Sequence, residues 1–369
     1  MRDEQPVDEV ESSATIRADT AEEDALGASV VSNRGDRLRG FAGRYGLVFV
    51  LLILIIGFSI RLPDTFPTSN NLQLMLVTQA ILLVLALGLT APLRCGDFDL
   101  SIAATMIFCA AVIGVLTVQH GVDPVVAMVV ALAVGLLVGA CNGLIVVGLG
   151  INPFIVTLGT MTILQGLSFA ITNSEVISGL PDTVVDFSRY RIFGLQAMVY
   201  LGWVLAVVLW YVYRYTPFGR FTLFVGGNAE AARLAGVPVP RIRFIAFLIS
   251  GLLSGFAGVL LAGSLGAVNP SIGGQYLLQP YAAAFLGAAV IYVGRFNVVG
   301  TLVGLYLLVV GSTGLQLLGA PTSTTEIFNG IALVAAVAFA RLSGGTDDVP
   351  ALSWIRGHWQ RLTRKRAAP

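Results

Sequence analysis

The sequence predicts an all-α polytopic membrane protein of about ten transmembrane helices, with both termini in the cytoplasm. Three observations carry this prediction. The chain of 369 residues is 56% hydrophobic and 12% charged, with a mean hydropathy of +0.84, against about 25% charge in a soluble domain. The charge is also uneven: residues 1–44 hold 6 basic and 10 acidic side chains, whereas residues 45–342 hold 20 charged groups in 298 positions. Finally, the basic residues fall on one side of a series of apolar runs. A middle so poor in charge cannot clothe a soluble globule, but it can face lipid. This excludes a cytosolic enzyme, a secreted disulfide scaffold and a nucleic-acid binder. The net charge of +1 gives a polyanion no reason to bind.

Residues 1–44 are polar, acidic and nearly free of aromatics, and read as a disordered cytoplasmic tail. They lack the basic start and small-residue cleavage site of a secretory signal. Ten apolar runs follow, at 45–61, 72–93, 101–118, 124–148, 153–172, 194–213, 244–266, 277–293, 298–318 and 326–342. Most reach the ~20 residues a helix needs to cross a bilayer. Backbone groups must be satisfied inside lipid, so helices are the default, and no barrel-type alternation is present. Pro92 and Gly96 mark a place where the chain can break between the second and third spans. Asn152-Pro153 reads as a cap followed by a proline at the first helical position. With the amino terminus inside, 19 of the 22 basic residues lie on the cytoplasmic side, and Arg61, Arg189 and Arg191 lie outside. That asymmetry sets the orientation. The expected division is a tail at 1–44, a membrane domain at 45–342 with a cytoplasmic loop at 214–243, and a basic cytoplasmic tail at 343–369.

Glycines recur at a spacing of four, in Gly135/Gly139, Gly251/Gly255 and Gly300/Gly304. That spacing puts each pair on one helix face, where backbones can approach closely, and predicts packing contacts rather than a pore lining. The spans hold almost no ionisable groups, whereas ion-coupled carriers keep such groups at mid-membrane. They carry neutral polar side chains instead: Gln79, Asn142, Thr157, Thr160, Thr162, Gln165, Gln279, Gln316 and Asn329. These can bond one another across helices or serve a neutral solute. Asn142, Thr157, Gln165 and Gln279, with Asp99, are the candidates for a translocation path or gate. Asp99 has a second reading, since a carboxylate just before a span can cap it. Cys95, Cys109 and Cys141 lie too far apart for a metal site, and neither His120 nor His358 has a ligand neighbour, so no metal and no cofactor is expected. No G-x-x-x-x-G-K-[ST] run is present, so any ATP that drives the chain is hydrolysed on another subunit.

The segment 214–243 is the longest inside loop. Asn228 is a good N-cap, Glu230 sits in the first turn where the helix dipole favours an acid, and Ala231, Ala232, Leu234 and Ala235 are strong helix formers. Gly236 suits a left-handed stop, and Pro238 prevents continuation. The sequence therefore encodes a helix of about two turns, too short to persist alone in water. It is either a connector packed on its own bundle or a docking element.

Glu230-Ala231-Ala232-x-x-x-Gly236 resembles the EAA-x-x-x-G signature of permease subunits of ATP-binding-cassette importers. The resemblance narrows to permeases of the ribose/xylose/galactose type through Gly96-Asp97-Phe98-Asp99-Leu100-Ser101, Asn142-Gly143-Leu144, Phe154-Ile155-Val156-Thr157-Leu158-Gly159-Thr160, Gly219-Arg220 with Gly226-Gly227-Asn228, and Val299-Gly300-Thr301. These occur in the family order across roughly residues 45–342. The resemblance implies the permease fold of such importers and a chain that is not itself an enzyme. It implies docking of an ATPase subunit at Asn228, Glu230, Ala231, Ala232 and Gly236. It also implies an extracytoplasmic solute-binding protein, a second permease chain (identical or a paralogue), and a monosaccharide or similar small neutral solute. Four features depart from the pattern. The family's Ile-x-Leu-Pro element is replaced by Pro238, Pro240 and Ile242. Asp97 stands in place of a second glycine. In Gln275-Tyr276-Leu277-Leu278-Gln279, Leu277 and Gln279 replace two acids. The glycine-rich turn before the ninth span is thinned at Ala288, Val293 and Phe296. The missing acids keep a nucleoside, an autoinducer-type sugar derivative or a branched amino acid open as cargo. An ion-coupled carrier would leave the Glu230 helix without a task.

Overall fold

The computed structural model describes residues 34–292 and 294–343. These form α1 (Arg34–Arg61), α2 (Ser69–Arg94), α3 (Ile102–Gly114, extended by a π turn over Val115–Gln119), α4 (Pro124–Gly148), α5 (Pro153–Ile171) and α6 (Asp182–Arg189). Then come α7 (Ala197–Tyr215), α8 (Pro217–Gly227), α9 (Ala229–Leu234), α10 (Val239–Leu265), α11 (Leu278–Ala288), α12 (Val298–Leu317) and α13 (Thr322–Ser343). Among the described residues, seven helices are long and apolar enough to cross a membrane: α2, α3 with its π turn, α4, α5, α7, α10 and α12. Two-residue strands sit at the turns. β1 (Ile177–Ser178) pairs antiparallel with β4 (Ala267–Val268), and β2 (Arg191–Ile192) with β3 (Leu195–Gln196).

The expected spans need four corrections. Helix α1 already begins at Arg34, so the last residues of the stretch read as a tail are helical; residues 1–33 and 344–369 lie outside the described residues. Helix α10 starts at Val239 rather than 244, because Pro238 and Pro240 open it as cap and first-turn residues. Segment 214–243 carries a second helix, α8, whose Pro217 stands in its first turn. The expected span 277–293 is not one helix: α11 ends at Ala288, and Ile291 and Gly294 turn the chain at φ 63° and 78°. Asn297 explains that stop. Its Nδ2 donates to Gly287 O (3.1 Å), Val290 O (3.2 Å) and Arg295 O (3.0 Å), satisfying carbonyls that continued helix would have used. Its Oδ1 accepts from Gly300 N (2.7 Å) and caps α12. The Asn152-Pro153 cap is present as read, with Asn152 Oδ1 accepting from Phe154 N at 2.9 Å.

Helices α2 and α10 form the centre. Every residue of α2 from Ala80 to Arg94 is buried, and α10 packs on α2, α3 and α4. Helices α4, α5 and α7 turn apolar side chains such as Val129, Leu137, Ile155, Ile163 and Val207 outward, as lipid-facing helices do. The α4–α10 contact is made by the glycine pairs. A Cβ on Gly135 would lie 2.6 Å from Gly251 O, and one on Gly251 would lie 2.8 Å from Gly139 Cα. Gly300 and Gly304 of α12 face Gly287 and Ala283 of α11 in the same way. A side chain at these points has nowhere to go, because the obstacle is backbone.

Gly251→Val should therefore part α4 from α10 and lower the melting temperature of the detergent-purified chain, a cost of about 1–3 kcal/mol. Gly166→Val is the control, because its Cβ meets nothing within 4 Å. Equal melting temperatures for the two variants would refute the close-packing assignment.

Candidate functional site

The exposed helix α9 is built as its sequence implies. Asn228 is extended (φ −158°, ψ 104°), and its Oδ1 accepts from Glu230 N (3.0 Å) and Ala231 N (2.9 Å). Gly236 takes φ 80°, with Gly236 N donating to Arg233 O and Val237 N to Ala232 O, both at 3.0 Å. Ala232 is fully buried and joins Val237, Val239 and Ile242 in the main core. Glu230 and Arg233 form an exposed pair at 3.4 Å, and Leu234 is 84% exposed. Thus Ala232 fastens a two-turn helix to the bundle, while Glu230, Arg233 and Leu234 point away from it.

Helix α8 lies between α9 and the bundle, and Arg94 at the end of α2 grips it. Arg94 Nη2 donates to Gly219 O (2.7 Å), Nε to Thr222 Oγ1 (3.1 Å) and Nη1 to Phe296 O (2.8 Å). Its guanidinium carbon lies 4.3 Å from the Tyr213 ring centroid. One buried cation therefore joins α2, α7, α8 and the turn before α12. Gly226 lies against the Arg94 carbonyl, where any side chain would collide.

Residues 95–101 break the chain between α2 and α3, and the break is buried. Gly96 turns at φ 83°, and Gly96 N and Asp97 N close onto Leu93 O (3.1 Å) and Pro92 O (3.0 Å). Arg243 on α10 holds Asp97 through two bonds, Nη2 to Oδ1 at 2.7 Å and Nε to Oδ2 at 2.8 Å. Burial, aided by the Asp97 carboxylate, pushes the Cys95 thiol up to about 12, so it is a neutral packing group. Cys109 is buried like Cys95, and Cys141 is exposed on α4.

Asp99 is the centre of a network spanning four helices. Its Oδ1 accepts from Ser101 N (3.0 Å) and Ser101 Oγ (2.5 Å), and its Oδ2 accepts from Ser250 Oγ of α10 (2.6 Å). Asn142 Nδ2 of α4 donates to Ser101 Oγ (2.9 Å), and Thr160 Oγ1 of α5 donates to Asn142 Oδ1 (2.6 Å). Thr157 Oγ1 accepts from Leu100 N at 3.1 Å. Asp99 does not cap α3, whose N-cap is Ser101 with no side-chain cap bond: one oxygen takes the amide of Ser101 just before the helix, and the other ties the break to α10. Ser250 lies eleven residues past Val239, which at 1.5 Å per residue is about 16 Å along α10. The break therefore enters the bundle instead of lying on its surface.

Of the five path candidates, Asp99, Asn142 and Thr157 come together in this network. Gln165 stands on the exposed face of α5, and Gln279 lines a separate cleft with Gln79 and Gln316. Sequence reading missed Arg94, Arg243, Ser250 and Asn297. The signal was present for Arg243, since Asp97 unpaired next to a buried turn demands a cation.

Fold and site together define a polytopic membrane protein with a short, capped, outward-facing helix at its surface. A family model described as the permease component of branched-chain amino acid transport systems matches residues 71–337. The chain is 34% identical over 304 residues to the ribose import permease protein RbsC of Bacillus subtilis, covering 82% of this chain and 94% of that one. It is 29% identical over 303 residues to the D-allose transport system permease protein AlsC of Escherichia coli, covering 82% and 93%. It is 29% identical over 304 residues to the autoinducer 2 import system permease protein LsrD of Photorhabdus laumondii, covering 80% and 91%. No solved structure gives a significant match. The chain belongs to this permease family and is a multi-pass protein of the cell membrane.

Asp97→Asn should leave the Arg243 guanidinium without its anion and lower the melting temperature. The cost is about 1–3 kcal/mol, kept modest because Arg243 is partly exposed. The double exchange Asp97→Arg with Arg243→Asp should recover part of the loss. Single variants as stable as the parent would show the pair to be idle.

Proposed function

We propose that the chain is the membrane-spanning subunit of an ATP-binding-cassette importer, carrying a monosaccharide or similar neutral polar solute into the cytoplasm. The observation that carries this reading is helix α9: capped at both ends, fastened by buried Ala232, and presenting Glu230, Arg233 and Leu234 outward. Such a helix has no packing reason to point its side chains away from the bundle. A groove on an ATPase subunit gives it one, with Asn228, Glu230, Ala231, Ala232 and Gly236 as the coupling residues. The chain supplies conformational coupling, and hydrolysis takes place on the separate subunit. An extracytoplasmic solute-binding protein delivers the cargo, and a second permease chain, identical or a paralogue, completes the path.

The topology that goes with this reading has ten spans and both termini inside. The apolar part of α1 (Tyr45–Arg61), α11 with the turn before it, and α13 complete the set begun by the seven long helices. Position 279, a glutamine where the resemblance leads one to expect an acid, favours a second cargo reading within the same architecture: an autoinducer-type sugar derivative, a nucleoside or a branched amino acid.

Glu230→Lys reverses the charge at the start of α9 and leaves Ala232 in place. ATP-driven uptake into vesicles should fall by about tenfold or more, the scale of a lost charge-assisted contact, while the amount of inserted chain stays the same. The P-loop ATPase identified by mass spectrometry with the parent chain should be lost from the variant. Uptake that an imposed ion gradient sustains without ATP would overturn the proposal.

A further inference from the structure

Away from the break and from α9, one group of polar side chains has no task in the fold. Two clefts of about 420 and 580 Å³ share Gln275, Gln279, Gln316 and Thr325 as lining, where α2, α11, α12 and α13 meet. Gln79 adds a further carboxamide to the smaller cleft, and Asn329 adds one to the larger. Both volumes fall within the ~300–1,000 Å³ typical of small-molecule sites. On the topology above, this is the outer half of the bundle: the Ser69 end of α2, the Leu317 end of α12 and the Thr322 end of α13.

The chemistry of the lining is unusual for a membrane bundle. Five carboxamides converge, each offering both donors and an acceptor. Two of the lining atoms, Thr325 Oγ1 and Asn329 Oδ1, are buried with no hydrogen-bond partner. Buried polar atoms are normally satisfied, so these two are unspent hydrogen-bonding capacity in the wall of the cleft. The single charge in the lining is Glu326, which is exposed at the edge. Nothing there would hold an anion. A hydroxyl group, donor and acceptor at once, matches carboxamides that offer both. Leu278 and Leu333 give the floor an apolar surface for the C–H face of a ring.

We propose that this cleft holds a neutral polyhydroxylated solute on its way through the permease, with Gln279, Thr325 and Asn329 as its hydrogen-bonding groups. The proposal rests on the importer reading above and adds the residues that touch the cargo. The site is half open and carries no charge other than Glu326 at its edge, so it binds weakly and releases readily.

The test has two readouts. Gln279→Cys and Asn329→Cys are made in a Cys141→Ser background and treated in native membranes with hydroxyethyl methanethiosulfonate, a small neutral hydrophilic reagent. Both should be modified, because the cleft is hydrated. No modification, or a disulfide between two copies at position 329, would mean that lipid or a second chain fills the cleft, and would overturn the proposal. In the complete transporter, uptake of radiolabelled ribose, allose and arabinose is then compared for the parent, Gln279→Leu and Asn329→Leu. Each substitution should lower uptake of any sugar carried by about tenfold, the scale of a lost hydrogen bond at a desolvated site, with the amount of chain inserted in the membrane unchanged. Parent-level uptake by both variants would also overturn it. A parent that carries none of these sugars speaks against the importer reading for sugars, and the labelling still decides whether the cleft is an open, hydrated site.

Discussion

The break at residues 95–101 is the constraint around which the bundle is arranged. Irregular backbone cannot face lipid, because each unpaired amide or carbonyl there costs several kcal/mol. Here it is surrounded by protein, and its polar groups are answered from four directions. Arg243 meets Asp97, Ser250 and Ser101 meet Asp99, Thr157 meets the Leu100 amide, and Arg94 closes the end of α2 onto α8 and the Phe296 turn. Remove the break and α2 and α3 would run on as one helix. The Asn142 carboxamide on α4 and the hydroxyls of Thr157 on α5 and Ser250 on α10 would then lose their partners. The close α4–α10 crossing at the glycine pairs brings Asn142 and Ser250 within reach of the same short segment.

On the proposed importer reading, the same arrangement offers a mechanical route through the molecule. Helix α9 follows α8 across the single extended residue Asn228, and α8 is clasped by Arg94 at Gly219 and Thr222. The third bond of Arg94 goes to Phe296, just before α12, while Asn297 locks that turn to the end of α11. A force on Glu230 or Leu234 would therefore reach α2, α11 and α12 together, through packed backbone and a buried cation rather than through flexible loops. These helices also line the carboxamide cleft at their other ends, through Gln79, Gln279 and Gln316. Rigid elements with two discrete packings are what carries such coupling, and the glycine contacts of α11 with α12 leave little room for gradual deformation.

Much of this was legible in the sequence, and the rest was not, for physical reasons. Hydropathy gave the long helices because lipid imposes their length. The spacing of Gly135, Gly139, Gly251 and Gly255 announced close crossing, and Asn228 with Gly236 announced α9, because caps are local. The stop of α11 was missed because it depends on Asn297, nine residues beyond the helix end. Likewise, α8 was hidden in a loop-like stretch whose glycines pack on Tyr213 and Arg94 instead of marking turns. The distant partners of Asp99 and Asp97, Ser250 and Arg243, were invisible because they sit 151 and 146 residues away along the chain. The five path candidates shared one property, neutral polarity or a lone acid in an apolar chain. That property has three outcomes here: Asp99, Asn142 and Thr157 satisfy the break, Gln279 lines a cleft, and Gln165 lies on the exposed face of α5. Nothing in one-dimensional spacing separates them.

Asp97 shows how a departure from the family pattern is absorbed. A carboxylate where a glycine is usual adds a buried charge next to a turn, and a lone buried charge is strongly unfavourable. Arg243 answers it with a two-point bond from the first turn of α10, a helix that begins early enough to carry the arginine only because Pro238 and Pro240 start it there. Gln279 departs in the opposite sense. It removes a charge from a lining that holds no cation to balance one, leaving the cleft neutral except at its Glu326 edge. One departure thus strengthens the fixed frame on the α9 side, and the other keeps the cleft suited to solutes without charge. The frame can tolerate ions because protein groups surround and pair them. A path for a neutral solute is better without them, since each charge left unpaired between solutes would have to be solvated anew.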